Sequence, residues 1–168
     1  MFGGGGDNAI DVLKADHRKV EDLFAQVKAN EDGNNKATFK KIKQELDVHA
    51  HIEEQVFYPH LLSEGDKELQ KIVREGLEEH GQVKTLLTEL DGMSGDSATF
   101  KAKLTVLMEN VEHHVEEEEG EMFDMAADQI PENTLERLGN LLEAERARVM
   151  TKGRSRQTRP RASAARQR

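Results

Sequence analysis

Four stretches of this chain carry apolar residues at alternating steps of three and four, and each stretch is fenced by turn signals. GGGGDN opens the chain, while NEDGNN (30–35), SEGD (63–66), DGMSGDS (91–97) and QIPEN (129–133) interrupt it. Steps of three and four track one face of a 3.6-residue helix. Clusters of Gly, Asp, Asn, Ser and Pro end such helices. The spacing therefore predicts four long helices and a shorter fifth after Pro131, an all-α fold. Asp7 or Asn8, Asn35, Asp66 and Ser97 stand where N-caps belong, and Pro131 suits a first helical turn.

The stripes are interrupted by polar residues. In the first, the series 10, 13, 17, 20, 24, 27 has one polar member, His17. The second (39, 42, 46, 49, 53, 56, 60) contains His49, Glu53 and, near its end, His60. The third (69, 73, 76, 80, 83, 87, 90) contains His80. The fourth runs through Phe100, Leu104, Leu107 and Val111, then 114, 118, 122 and 125, with His114 and Glu118 as its interruptions. His113, about 100° round the helix from His114, leaves the stripe, as do Glu116 and Glu117. His51 is off its stripe as well and reads as a surface residue. Tyr58 reads as a packing residue near the bundle end. Glu54 and Glu119 directly follow stripe glutamates and either support them or face solvent, and Glu119 is the alternative to Glu118.

Each of four helices thus turns a histidine inward, and two add a glutamate one turn later, as His49-x-x-x-Glu53 and His114-x-x-x-Glu118. Positions i and i+4 project from one face about 6 Å apart. With helix axes about 8–10 Å apart, such groups converge on a shared centre. Burying them unpaired costs several kcal/mol for a carboxylate alone. No Lys or Arg shares the stripes to offset that cost. Four imidazoles and two carboxylates suit two first-row divalent ions, iron before zinc, manganese or cobalt. The candidate metal ligands are His17, His49, Glu53, His80, His114 and Glu118. An internal repeat agrees: DHRKVEDLF (16–24) aligns with EHGQVKTLL (79–87), and HAHIEEQVFYP (49–59) with HVEEEEGEMFD (114–124). Two similar helical hairpins would each supply half of a dinuclear site.

These four segments together resemble the hemerythrin-like, or HHE cation-binding, domain over residues 10–127. The resemblance implies an up-down-up-down four-helix bundle around a non-haem di-iron centre held by the same six residues. Oxygen-carrying hemerythrins have a second histidine where this chain has Lys84, and an aspartate where it has Glu119. The pattern here is more similar to the bacterial H-HxxxE-H-HxxxE branch. One fewer imidazole leaves a further coordination position for dioxygen, peroxide, nitric oxide or water. The expectation is a metal-binding protein that binds or reacts with a small oxygen or nitrogen species, as in oxidative or nitrosative stress. The alternative is an iron or oxygen sensor, or an iron-handling protein, that signals through its tail.

Outside that domain, charge is uneven. Seven of the 24 basic residues fall in 151–168, where there is no acid, so the remaining 17 face all 33 acids, a net of −16. The expected division is a flexible N-terminus (1–7), the bundle (8–128), a C-terminal helix (131–150) and a disordered basic tail (151–168). The tail is the segment suited to nucleic acid or another polyanion, but it has no interleaved aromatics for stacking. There is no cysteine, no apolar run of membrane-spanning length and no secretory pattern at the start, so a cytoplasmic location without membrane contact is expected.

Overall fold

The computed structural model describes residues 6–157. Helix α1 is Ala9–Ala29, α2 Lys36–Ile52, α3 Tyr58–Glu64, α4 Lys67–Asp91, α5 Ala98–Glu117, α6 Phe123–Gln129 and α7 Glu132–Gln157. Two π-helical turns, Glu53–Phe57 and Glu118–Met122, join α2 to α3 and α5 to α6. The described residues therefore form five rods, and the first four make an up-down-up-down bundle. The fifth, α7, lies against α1, α2 and the first π-turn. No helix among the described residues is long and apolar enough to cross a membrane.

Three of the expected caps hold their helices. Asn8 makes a reciprocal capping box with Asp11, Asp66 accepts from the Glu68 and Leu69 amides, and Ser97 accepts from Phe100 N. Asn35 precedes α2 without such a bond, its amide donating to the Asn30 carbonyl at 2.9 Å. Lys36 fastens the far end of the bundle, its Nζ donating to the carbonyls of Leu90, Asp91 and Met93 at 2.7–2.8 Å. This places a cation at the C-terminal, carbonyl end of α4.

Two apolar clusters fill the bundle. One, near the N-terminus of α1, includes Leu13, Ile52, Phe57, Leu69, Phe123 and three leucines of α7 (Leu135, Leu138 and Leu142). The other includes Phe24, Phe39, Ile42, Leu87, Phe100 and Leu107. Burying each such side chain contributes about 1.5–3 kcal/mol. Between the clusters lies a polar layer of His17, His49, Glu53, His80, His114 and Glu118.

Two expectations about the helices are corrected. The stripes do not keep their phase beyond Glu53 and Glu118. Tyr58 N bonds to Glu53 O, and Phe123 N to Glu118 O, each spanning five residues. The wider turn takes up one extra residue, so Phe57, Tyr58 and Leu61 face inward in the first case, and in the second Phe123 and Ala126 join Met122, which keeps its expected place. Val56, His60 and Met125 are left half-buried. Secondly, the fifth helix is not shorter. Its 26 residues continue through 151–157, the start of the segment read as a disordered tail. Arginine and lysine are good helix formers, so lacking an apolar face does not stop a helix already started. The rest of that tail, and residues 1–5 of the expected flexible lead-in, lie outside the described residues. Gly139 lets α7 settle on the start of α1, where a Cβ would collide with the backbone of Asp7 and Asn8.

Candidate metal centre

The six residues picked from the stripes meet in one layer. His17, His49, Glu53, His80, His114 and Glu118 are each no more than 6 % exposed. They fall into two overlapping groups. His17 and His49 form one with Glu53 and Glu118, and His80 and His114 form the other with the same two glutamates. Each glutamate divides its oxygens between the groups. Glu53 Oε1 lies 3.3 Å from His49 Nε2, and Oε2 3.2 Å from His80 Nε2. Glu118 Oε2 lies 3.1 Å from His17 Nε2, and Oε1 3.5 Å from His114 Nε2. The imidazole pairs also approach through Nε2, at 3.2 Å for His17 and His49 and 3.1 Å for His80 and His114.

The other ring nitrogen fixes what these contacts mean. Every Nδ1 donates to a carboxylate: His17 to Glu119 at 2.8 Å, His49 to Asp16 at 3.2 Å, His80 to Glu54 at 2.9 Å and His114 to Glu79 at 2.5 Å. A neutral imidazole with its proton on Nδ1 presents a bare lone pair at Nε2. Four such lone pairs then face one another and the carboxylates. Both Glu53 oxygens and Glu118 Oε2 are buried with no hydrogen-bond partner among the described residues. Nothing in this layer supplies positive charge unless protons or metal ions do. Separations of 3.1–3.5 Å also suit neighbouring donors around one ion with bonds of about 2.0–2.2 Å. The residues present fit a dinuclear metal site.

Protons would be held tightly there. Burial alone pushes the His49 imidazole down, but Glu53 and the Asp16 hydrogen bond outweigh it and raise it to about 10. Burial opposes, and Glu118 and Glu79 raise, His114 to about 9. Asp16, although burial pushes it up, is brought to about 2 by hydrogen bonds from His49 and Arg146.

The supporting carboxylates have partners of their own. Arg18 donates to Glu119 at 2.6 Å, Lys84 to Glu54 at 2.6 and 2.7 Å, and Arg146 of α7 to Asp16 at 2.8 Å. No cation among the described residues pairs with Glu79 in this way. Glu119, the alternative to Glu118, faces His17 Nδ1 and Arg18 and is partly exposed. His51 pairs with Glu145 of α7 at 2.7 Å and His113 with Glu117 at 3.2 Å, both away from the layer.

Tyr58 is a correction. It is not simple packing near the bundle end, because the π-turn swings it into the centre. Its hydroxyl donates to Glu118 Oε1 at 2.5 Å and lies 3.4 Å from His80 Nε2. Gly76 makes the room, since a Cβ there would stand 3.1 Å from that hydroxyl. In the repeat the matching residues are Phe123 and Leu13; Phe123 stacks on His17 at 5.9 Å, as Tyr58 does on His80 at 5.3 Å, but brings no hydroxyl. Asp16 and Glu79, which lie off the stripes, also join the centre, and each immediately precedes an aligned histidine. On the side of the imidazoles away from Tyr58, a cavity of about 30 Å³ is walled by Val20, Leu46, Val83, Leu87 and Val111 with all four histidines.

The model of the hemerythrin HHE cation-binding domain matches residues 8–126. The chain belongs to this family. It is accordingly a metal-binding domain, with its histidine and glutamate cluster where a metal would be held. A crystal structure of a hemerythrin HHE cation-binding domain-containing protein from Mycobacterium kansasii is similar throughout, with a TM-score of 0.72 and 27 % identity, covering 94 % of this chain and 96 % of that one. Two curated relatives are each 28 % identical. One is a DNA nickase of Nostoc sp., matched over 146 residues (84 % of this chain, 40 % of that protein). The other is an uncharacterized hemerythrin-like protein of Schizosaccharomyces pombe, matched over 110 residues (65 % and 54 %). The chain thus spans about half or less of the length of these two relatives.

Proposed function

We propose that this hemerythrin-like chain holds two non-haem iron ions and binds or reacts with a small oxygen or nitrogen species such as dioxygen, peroxide or nitric oxide. His17 and His49 would hold one ion, His80 and His114 the other, and Glu53 and Glu118 both. The observation that carries the reading is the division of each buried glutamate between two imidazole pairs, with three of the four oxygens lacking a hydrogen-bond partner and the fourth, Glu118 Oε1, accepting from Tyr58. When bound, an iron pair supplies two electrons' worth of redox change and open coordination positions.

The chain's own residues would do the rest. Asp16, Glu54, Glu79 and Glu119 orient the imidazoles through Nδ1. Val20, Val83, Leu87 and Val111 give a small cavity of about 30 Å³ an apolar wall, enough room for a water-sized species such as a diatomic. Tyr58 holds a proton at its hydroxyl, raised well above the usual phenol range by burial and the neighbouring Glu118, and donates it to that carboxylate. A nucleic-acid backbone could not enter this layer, so the nicking activity named for the Nostoc relative is not assigned to the centre.

Iron-loaded full-length protein should contain about two ions per chain, consume added peroxide or change its spectrum with nitric oxide, and leave supercoiled plasmid intact. Folded protein that takes up no iron would overturn the reading. Two irons without response to peroxide, nitric oxide or dioxygen would leave storage or sensing in its place.

A further inference from the structure

Three of the four supporting carboxylates are backed by cations, and one of these cations comes from outside the four-helix bundle. Arg18 and Lys84 belong to bundle helices and are about half exposed, at 55 % and 48 %. Exposed pairs of this kind contribute little. Arg146 comes from α7, its side chain is 15 % exposed, and it meets a carboxylate that is 4 % exposed. Asp16 Oδ2 accepts from Arg146 Nη2 at 2.8 Å and from His49 Nδ1 at 3.2 Å, so a single oxygen joins the two groups. Lys19, at 3.4 Å, reaches the other oxygen. The matching carboxylate of the repeat, Glu79, has instead a second acid, Glu117, beside it.

We infer that Arg146 is a positioning residue of the metal centre, acting on His49 through Asp16, so that docking of the fifth helix is coupled to metal retention at the His17/His49 position. This rests on the proposed dinuclear reading. Without the guanidinium, Asp16 keeps its burial but loses the partner that fixes the shared oxygen. His49 then loses a rigid hold, whereas His80 and His114 keep theirs. Removing outer partners of metal-bound histidines typically weakens binding by about 10–100-fold. Because coupling is reciprocal, metal in that position also holds α7 down.

Co(II) is the probe, loaded into full-length wild type, Arg146→Ala, Arg146→Lys and Arg148→Ala. Arg148 lies on the same helix and pairs within it, with Glu145. Two readouts are taken: release of each ion to a chelator, and the solvent-exchangeable, metal-shifted proton signals of the four imidazole Nδ1–H groups. In R146A one ion should leave about tenfold faster, and one of the four signals should shift or exchange away. R146K should recover most of both, and R148A should match wild type. Wild-type release and four unchanged signals in R146A overturn the inference. So does a uniform loss of all four signals that R146K fails to rescue, because that is loosening of the whole bundle. Wild type that takes up no Co(II) overturns the dinuclear reading itself, whereas a wild type with two ions and an indifferent R146A overturns the positioning role alone.

Discussion

The two halves of the polar layer are built on one plan and finished differently. In each half an aromatic ring stacks on an imidazole; in the His17/His49 half it is Phe123, without a hydroxyl, and both supporting carboxylates are tied to arginines. In the His80/His114 half, Tyr58 fills the aromatic position with a hydroxyl on Glu118, Gly76 clears space for it, and Glu79 shares its surroundings with another acid. The residue types are symmetric while their surroundings are not. A repeat can therefore keep one layer of histidines and glutamates and still make its two halves chemically inequivalent.

The largest effect should separate the residues shared by both halves from those that serve one. Glu118→Ala removes a carboxylate that faces both imidazole pairs and should abolish stable metal binding, whereas Glu119→Ala removes support from His17 and should weaken binding by about tenfold. Metal content after dialysis against chelator checks the ranking, and the reverse order would break the shared-carboxylate scheme.

Next is the pH response of metal-free protein. His49 and His114 are raised above the ordinary value of 6.5, to about 10 and about 9. Their contribution to stability is fully present below about 6.5 and is lost as pH rises through the folded values. Melting temperature should fall between about pH 7 and pH 10, with His114 losing its proton before His49. Titration by imidazole nitrogen NMR checks both, and a melting temperature rising over this range would contradict the account. Since metal replaces these protons, affinity should increase with pH over the same interval.

A smaller effect should distinguish the aromatics. Tyr58→Phe takes a donor from buried Glu118 and should destabilise metal-free protein by about 1–3 kcal/mol. Phe123→Tyr should fail to reproduce the hydroxyl contact, because Leu13 stands where the other half has Gly76; overpacking there costs about 1–3 kcal/mol. Denaturant titration of the two variants and their double checks this, and Tyr58→Phe unchanged from wild type would remove the distinction. Smallest should be Arg18→Ala and Lys84→Ala, each below about 1 kcal/mol because their charges are exposed.

How much of this the sequence discloses depends on whether the signal is periodic. Helix positions and the six inward polar residues follow from steps of three and four, and the structure brings those six together. The phase beyond Glu53 and Glu118 does not follow, because a π-turn takes up one residue that a 3.6-residue period cannot anticipate. Adjacent large side chains at Phe57–Tyr58 and Met122–Phe123 are the trace it leaves, and this hid Tyr58. Asp16 and Glu79 sit beside the stripe, where an acid looks like any solvated residue; their matching places in the repeat were the available sign. The length of α7 is not legible either, because its basic end carries no apolar stripe, while a helix begun against the bundle runs on through it.

Anomalous scattering at the iron edge, from crystals of iron-loaded full-length protein, tests the central claim most directly. Two peaks should appear, one beside His17 and His49 and one beside His80 and His114, with Glu53 and Glu118 between them. A single peak, or iron bound at Glu119 or at the Glu79, His113 and Glu117 group, would contradict the shared-carboxylate centre.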